Sequence, residues 1–258
     1  MVDWGQGRYE RTAVELEPVA EALVRLARPR AGDQVLDIAC GTGNAALLAA
    51  ADGADAVGVD SAERLIAVAR QRAQEAGLEA EFLVGDALAL PVGDARFDVV
   101  LSVFGVIFAA DPAKAISEVA RVLCADGRAY ITAWVPAGPI DAMISVLGRA
   151  VGQATGAPPP KRFAWSDGDA VASIAEPCGL AVSTTHHELE IRAPSPEAYV
   201  DAGREHPMAL EVWPVLERAG VLDSLREEMI QALAAGNEGG RELLVHSPYV
   251  VHELRRSS

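Results

Sequence analysis

Three carboxylates and a pair of glycines in the first third of the chain are spaced as a ligand-binding set. Asp37 stands four residues ahead of Gly41 in the run Val35-Leu36-Asp37-Ile38-Ala39-Cys40-Gly41-Thr42-Gly43-Asn44. An apolar, β-branched stretch ends in an acid, passes through Gly-x-Gly and enters an alanine-rich segment. That order reads as strand, tight loop, helix. Glycines permit φ > 0 and let backbone N–H groups come close to a ligand. Gly41-Thr42-Gly43-Asn44-Ala45-Ala46 also fits the G-x-G-x-x-G/A dinucleotide fingerprint, with an acid at Asp60 about 20 residues further on. Asp37 separates the two readings. A carboxylate at the tip of the first strand repels a pyrophosphate and suits a cationic amino acid moiety.

The run closely resembles motif I of the class I S-adenosylmethionine (SAM) methyltransferases, in the Asp-x-x-Cys-Gly-Thr-Gly form common among small-molecule enzymes. The resemblance implies that Asp37, Ala39 and the Gly41-Thr42-Gly43 backbone hold the methionine end of SAM. Asp60 with Ser61 then takes the ribose, and Asp86 with Ala87, in Gly85-Asp86-Ala87, takes the adenine. A dinucleotide enzyme has no need of the last pair. Ser102 and Val103, by position after the fourth strand, line the methionine side, and Phe104 belongs to an apolar segment where the family floors its active site. Trp4 and Tyr9, set between glycines near the N-terminus, read either as a surface arm or as a flap over cofactor or acceptor. The product of turnover would be S-adenosylhomocysteine.

The elements that must carry this set follow in order. Leu16, Val19, Leu23 and Leu26 recur at helical spacing over about Val14–Ala27, and Pro29 with Gly32 stops the helix. Strands are expected at 34–39, 56–60, 81–84, 97–102 and 128–135. Helices follow at 44–51, from a Ser61 cap to Ala76, and after the Asp111-Pro112 cap. The Asp126-Gly127 pair is expected to turn the chain into strand five. Right-handed returns then build a doubly wound α/β sheet with its ligand at the carboxyl edge. Past Val135 a helix near 140–150 leads to the stiff Gly156-Ala157-Pro158-Pro159-Pro160 linker. A helix capped by Ser166, a sixth strand at 180–191, three helical stretches between Pro194 and Gly240 and a flexible Gly236–Gly240 link come next. The last strand, at about 249–254, is the antiparallel seventh that the family uses to close its sheet. Residues 1–33 therefore read as arm and helix, 34–135 as the SAM-binding Rossmann-like core, and 136–258 as the rest of the sheet with helical lid insertions at 137–164 and 194–240.

Composition removes several classes. Half of the 258 residues are hydrophobic, enough for a large core, yet no run reaches the roughly 18 apolar residues of a membrane helix. A net charge of −15 opposes binding to nucleic acid, which needs a basic surface. Cys40, Cys124 and Cys178 lie far apart without C-x-x-C spacing, against a disulfide framework or zinc site. The N-terminus lacks the apolar stretch of a signal peptide, so the expected setting is the cytoplasm, as monomer or homodimer. No metal is expected, since no acid cluster suits a catechol-type magnesium site. Ser102-Val103-Phe104-Gly105 replaces the Asn/Asp-Pro-Pro-Tyr of amino methyltransferases acting on DNA bases and glutamine.

SAM brings an activated methyl group, so the protein mainly aligns acceptor, methyl and sulfur and excludes water. An oxygen acceptor generally needs a base. The candidates are His186, His187, His206, His246 and His252. His186 and His187 are adjacent in a strand and face opposite ways; His246 and His252 sit at the last strand. His206, beside Glu205 in the second insertion, is the expected base. The function that emerges is SAM-dependent methyl transfer to a small organic molecule, a specialised metabolite or quinone ring. The alternatives are a protein that keeps the SAM pocket as sensor or scaffold, and a nicotinamide oxidoreductase.

Overall fold

The computed structural model describes residues 2–157 and 162–257. Its elements run α1 (Tyr9–Glu15), α2 (Glu17–Ala27), β1 (Gln34–Ile38), α3 (Asn44–Ala51), β2 (Asp55–Asp60), α4 (Glu63–Ala76), β3 (Ala80–Val84) and β4 (Phe97–Ser102). There follow α5 (Pro112–Val122), β5 (Leu123–Trp134), α6 (Gly138–Thr155), α7 (Gly168–Ala175), β6 (Leu180–Ala193), α8 (Pro196–Gly203), α9 (Pro207–Arg218), α10 (Leu222–Ala234) and β7 (Leu243–Arg256). The seven strands form one sheet in the order β3-β2-β1-β4-β5-β7-β6, parallel from β3 to β5 and with the last strands antiparallel. This is the expected class I fold. Val35, Leu36 and Ile38 of β1, and Val99, Val100 and Leu101 of β4, are buried. Near-continuous apolar runs are what a parallel sheet covered on both faces demands. Among the described residues no helix is long and apolar enough to cross a membrane.

The chain divides into two compact units. A sheet unit holds Ala13–Trp134, Phe163–His186 and the residues from Val250 onward; a helical unit holds the residues up to Thr12, Val135–Arg162 and His187–Tyr249. In the helical unit α10 packs on α6 and α8, and α9 packs on α6.

Several local expectations are corrected. The first helix is two, because Pro18 occupies the first turn of α2, where its missing N–H costs nothing. Tyr9 is therefore helical rather than part of an irregular arm. Ser61 does not cap α4; the cap position is Ala62, whose N–H is taken at 2.8 Å by the Asp60 carboxylate. Asp167, not Ser166, caps α7 and accepts from Asp169 and Ala170 N–H. The Asp126-Gly127 turn lies inside β5 as an irregularity, with Phe97 opposite Leu123 but Val99 opposite Arg128. A Cβ on Gly127 would stand 2.9 Å from the Phe97 carbonyl oxygen, so only glycine fits. Pro214 lies within α9. The Gly236–Gly240 link is ordered by Asn237, whose amide donates to Gly240 and Glu242 carbonyls and accepts from Gly239 and Leu244 N–H. Gly156 ends α6 in a left-handed conformation, whereas the expected proline linker at 158–160 lies outside the described residues.

The loop leading into β4 is fixed by a charge pair between a buried acid and a half-buried arginine. Glu118 on α5, 4% exposed, accepts from Leu90 N–H at 2.9 Å and from Arg121 at 2.7 Å. Arg121 also holds the carbonyls of Leu90 and Val92 and the Asp94 carboxylate. The Arg121 hydrogen bond is the main cause that holds the Glu118 carboxyl down at about 2. Its stability is therefore present above the ordinary carboxylate range and lost as pH falls toward 2. Arg121→Met, which strands that carboxylate, is expected to cost about 3 kcal/mol by denaturant titration at pH 7, and Glu118→Gln in the same chain to recover part of it.

Candidate functional site

The chain doubles its strand order at β1, which has β2 on one side and β4 on the other. Loops leaving adjacent strands to opposite faces open a crevice at their carboxyl ends. Asp37 near the end of β1, the 39–44 loop, Asp60 at the end of β2 and residues 102–106 after β4 all belong to that edge of the sheet unit.

Asp37 is 2% exposed. Its Oδ2 accepts from Ala46 N–H in the first turn of α3 at 3.1 Å, while its buried Oδ1 has no hydrogen-bond partner. Leaving a buried acceptor unpaired costs about 1–3 kcal/mol. Burial pushes the carboxyl up to about 7 against the pull of the Ala46 N–H, and the charge of Asp60 adds to the rise. The unused oxygen asks for a donor, and a cation fits best.

Asp60, 8% exposed, accepts from Gly41 N–H at 2.9 Å and from Ala62 N–H at 2.8 Å. It therefore shapes the glycine loop as well as facing the crevice's edge, and each oxygen keeps a second lone pair. Burial raises its carboxyl too. The N–H groups of both glycines are spent inside the protein: Gly41 donates to Asp60, and Gly43 to the Cys40 carbonyl at 2.9 Å. The glycines supply room and φ values of 55° and 84°, not free donors. A Cβ on Gly43 would lie 2.8 Å from the Phe82 ring. Cys40 is a buried thiol held well above its ordinary value, by burial first and then by Asp37 and Asp60.

The other expected site residues fall as follows. Thr42 is buried, Ala39 and Ala87 half-buried, Ser61 and Asp86 exposed. Asp86 accepts from Leu88 N–H at 2.9 Å. The Ser102 hydroxyl donates to the Ile38 carbonyl at 2.8 Å and accepts from Val106 N–H at 3.0 Å, tying the end of β1 to the loop after β4. Val103 is half-buried. Phe104 is 3% exposed and stacks on Trp134 with centroids 3.7 Å apart and planes 1° from parallel. Both Ala39 (φ 53°) and Phe104 (φ 54°) are left-handed non-glycine residues, each costing roughly 1–2 kcal/mol. A Cβ on Gly105 would come 2.5 Å from that of Ala39, so the two strained turns interlock. Thr132, which accepts from Phe104 N–H at 2.8 Å, Trp134, and Arg72, whose guanidinium meets the Thr42 carbonyl at 2.8 Å, are the participants the sequence did not mark, since none stands in a recognisable spacing.

In the helical unit Trp4 meets Tyr9 and His206 edge-on, each with centroids 5.9 Å apart. Arg8 N–H donates to the Glu205 carbonyl at 3.0 Å, and a Cβ on Gly7 would collide with that same oxygen. His206, the expected general base, has a structural task of its own. It is the N-cap of α9, and its Nδ1 accepts from Met208 N–H at 3.2 Å. That bond uses the lone pair a base would need and leaves the proton on Nε2. Burial lowers its pKa. Of the other histidines, His252 is fully buried between Thr184 (2.9 Å) and the Trp165 carbonyl (2.6 Å). His187 stacks on Tyr249, and His246 lies 3.4 Å from Glu238.

Two measurements follow from these geometries. The folded protein holds a proton on Asp37 between the ordinary carboxylate range and pH 7, where the unfolded chain has released it. Stability from this group therefore falls as pH rises through that window. Asp37→Asn should melt higher than the parent by on the order of 4 °C at pH 8, and the difference should vanish near pH 4. His206→Asn, which retains a capping side chain, should keep the melting temperature, while His206→Ala should cost about 1 kcal/mol.

The chain resembles known methyltransferases in sequence. Residues 36–131 match the family model described as a methyltransferase domain. Demethylmenaquinone methyltransferase of Thermus thermophilus is 44% identical over 115 residues, 44% of this chain and 52% of that protein. The chain thus spans about half the length of that curated relative, and 62% of a Mycobacterium bovis relative matched over 172 residues. Nocamycin O-methyltransferase of Saccharothrix syringae is 32% identical over 257 residues, covering 91% of this chain and 90% of that one. In fold, the YcgJ protein of Bacillus subtilis superposes with a TM-score of 0.61 at 21% identity, over 93% of this chain and 98% of its own. With a relative of this similarity matched over about nine-tenths of both chains, the chain belongs to the class I SAM-dependent methyltransferases.

Proposed function

We propose that the chain transfers the methyl group of SAM to an oxygen of a small organic acceptor. The observation that carries the cofactor half is Asp37: a buried carboxylate oxygen without a partner, at the end of a central strand beside a glycine turn. An α-ammonium group supplies both the missing donor and the missing countercharge, and a pyrophosphate supplies neither. The oxygen half is supported by the likeness to an O-methyltransferase over nearly the whole chain.

When bound, SAM supplies a sulfonium methyl group already primed for displacement. The chain's own work is to bind and orient. In this reading Asp37 takes the ammonium. Asp60 adds a ribose hydroxyl to the two N–H groups it already receives, Asp86 with Ala87 meets the adenine, and Ala39, Gly41 and Gly43 give the close approach. Because the 39–44 and 102–106 turns are held by Asp60 and Ser102 before any ligand arrives, little reorganisation remains to be done on binding. Phe104 we assign to the acceptor side within the sheet unit, and choice of acceptor to the segments that lie outside the stretch matched by the methyltransferase domain.

Calorimetric titration with S-adenosylhomocysteine beside NADH tests the reading. The nucleoside should bind at micromolar concentration and NADH should not. Asp37→Asn should weaken binding at least about tenfold at pH 8, the scale of one charge-assisted hydrogen bond. Since the ammonium pairs with ionised Asp37, affinity in the parent should fall as pH drops below about 7 and be flat across that range in the variant. NADH binding without nucleoside binding would overturn the proposal.

A further inference from the structure

One cation beside the glycine loop has no task in the cofactor reading. Arg72, two turns into α4, directs its Nη1 at Thr42 O (2.8 Å), Thr42 Oγ1 (3.1 Å) and Asn44 Oδ1 (2.6 Å). Asn44 in turn donates from Nδ2 to the Ala13 carbonyl at 2.6 Å. Ala13 is buried on α1, and its carbonyl is among the last four of that helix, which lack a partner within the helix.

We propose that Arg72 is a positioning residue for the methyl-donor site, and that Asn44 passes its hold on to α1. The proposal rests on the cofactor reading above. Gly41 and Gly43 are both left-handed, and the N-cap of α3 is Gly43, with no side-chain cap. Such a turn is the most conformationally free stretch a chain can have, and ordering it is costly. Arg72 grips Thr42 and Asn44, the residues on either side of Gly43, with bonds strengthened by its charge. It therefore sets the path of the turn from outside the crevice without touching the ligand. Asp60 grips the same turn at Gly41 from β2. The loop is held at its start by an acid and at its end by a base.

The second half concerns α1. A bond from Asn44 to the end of that helix makes the order of the loop and the order of α1 one equilibrium. A ligand that stiffens the first stiffens the second, with no change in mean structure required.

The test uses the full chain with S-adenosylhomocysteine as probe, in calorimetry and in amide hydrogen exchange of residues 9–16. Arg72→Gln should weaken binding about tenfold while the ligand-free melting temperature stays within about 2 °C. In turnover the change should sit in KM for SAM and not in kcat. Arg72→Lys, which keeps charge and donors, should restore most of the affinity. Asn44→Asp keeps an acceptor for Arg72 and loses the donor to Ala13. It should bind close to wild type, yet the ligand should no longer slow exchange in α1 as it does in the parent. Equal affinity in Arg72→Gln and wild type overturns the positioning role. So does a loss of affinity in Arg72→Gln that comes with an equally large loss of melting temperature and is not restored by Arg72→Lys. Protection of α1 that survives Asn44→Asp overturns the relay. A parent that fails to bind the nucleoside at all removes the cofactor reading and this role with it, whereas a binding parent with unaffected variants removes the role alone.

Discussion

A carboxylate shut away from water at the end of the central strand is the constraint around which the site is arranged. Nothing in the folding of β1 requires an acid at position 37; an apolar residue would pack better against its buried neighbours. Asp60 is also buried nearby; burial pushes both carboxyls upward, and the charge of Asp60 adds to the rise at Asp37. The surrounding groups limit the penalty without removing it. One oxygen of Asp37 receives an N–H from the start of α3, where the helix dipole favours negative charge. The other is left unsatisfied. The fold thus carries a free-energy cost at this one oxygen.

Tension at this point explains features nearby. Ala39 and Phe104 both adopt backbone conformations that side chains disfavour, and Gly105 must lack a Cβ because Ala39 fills the space. Strain of this kind persists only where the surroundings overdetermine it. The Ser102 hydroxyl, the Thr132 hydroxyl under Phe104 and the Phe104–Trp134 stack provide that determination. The rigid sheet underneath supplies the reference frame, and the Glu118–Arg121 pair anchors the loop that feeds β4.

The sheet was largely legible in the sequence because parallel strands announce themselves. Buried on both faces, β1, β2 and β4 are short apolar runs punctuated by glycine and acid, and their limits were found within a residue. The glycine turn was legible for a related reason, since a strand that turns sharply into a helix needs residues free to adopt positive φ. What was not legible depended on competition between neighbours. Ser61 and Ser166 looked like caps, but Asp60 and Asp167 were closer to the N–H groups in question. The Asp126-Gly127 pair looked like a turn, yet the strand simply absorbs it as an irregularity. His206 looked like a base because an imidazole before a proline can be either catalyst or cap, and its partner, the Met208 N–H, was not foreseen. Arg72 gave no signal at all: its role comes from where α4 lies beside the loop, a distance of 30 residues along the chain from Thr42.

The division into two units has a consequence for how such a chain can change over generations. Three of its borders fall inside regular elements and not in linkers. One lies inside α1, one in the middle of β6 and one in the middle of β7. A strand that starts in one unit and finishes in the other cannot be cut out and grafted as a cassette, so neither unit is an inheritable module by itself. The segments that can be exchanged are those held between strand ends, above all the run from α8 to α10. Change in that run can then accumulate in place, residue by residue, while the sheet and its buried acid pass on untouched.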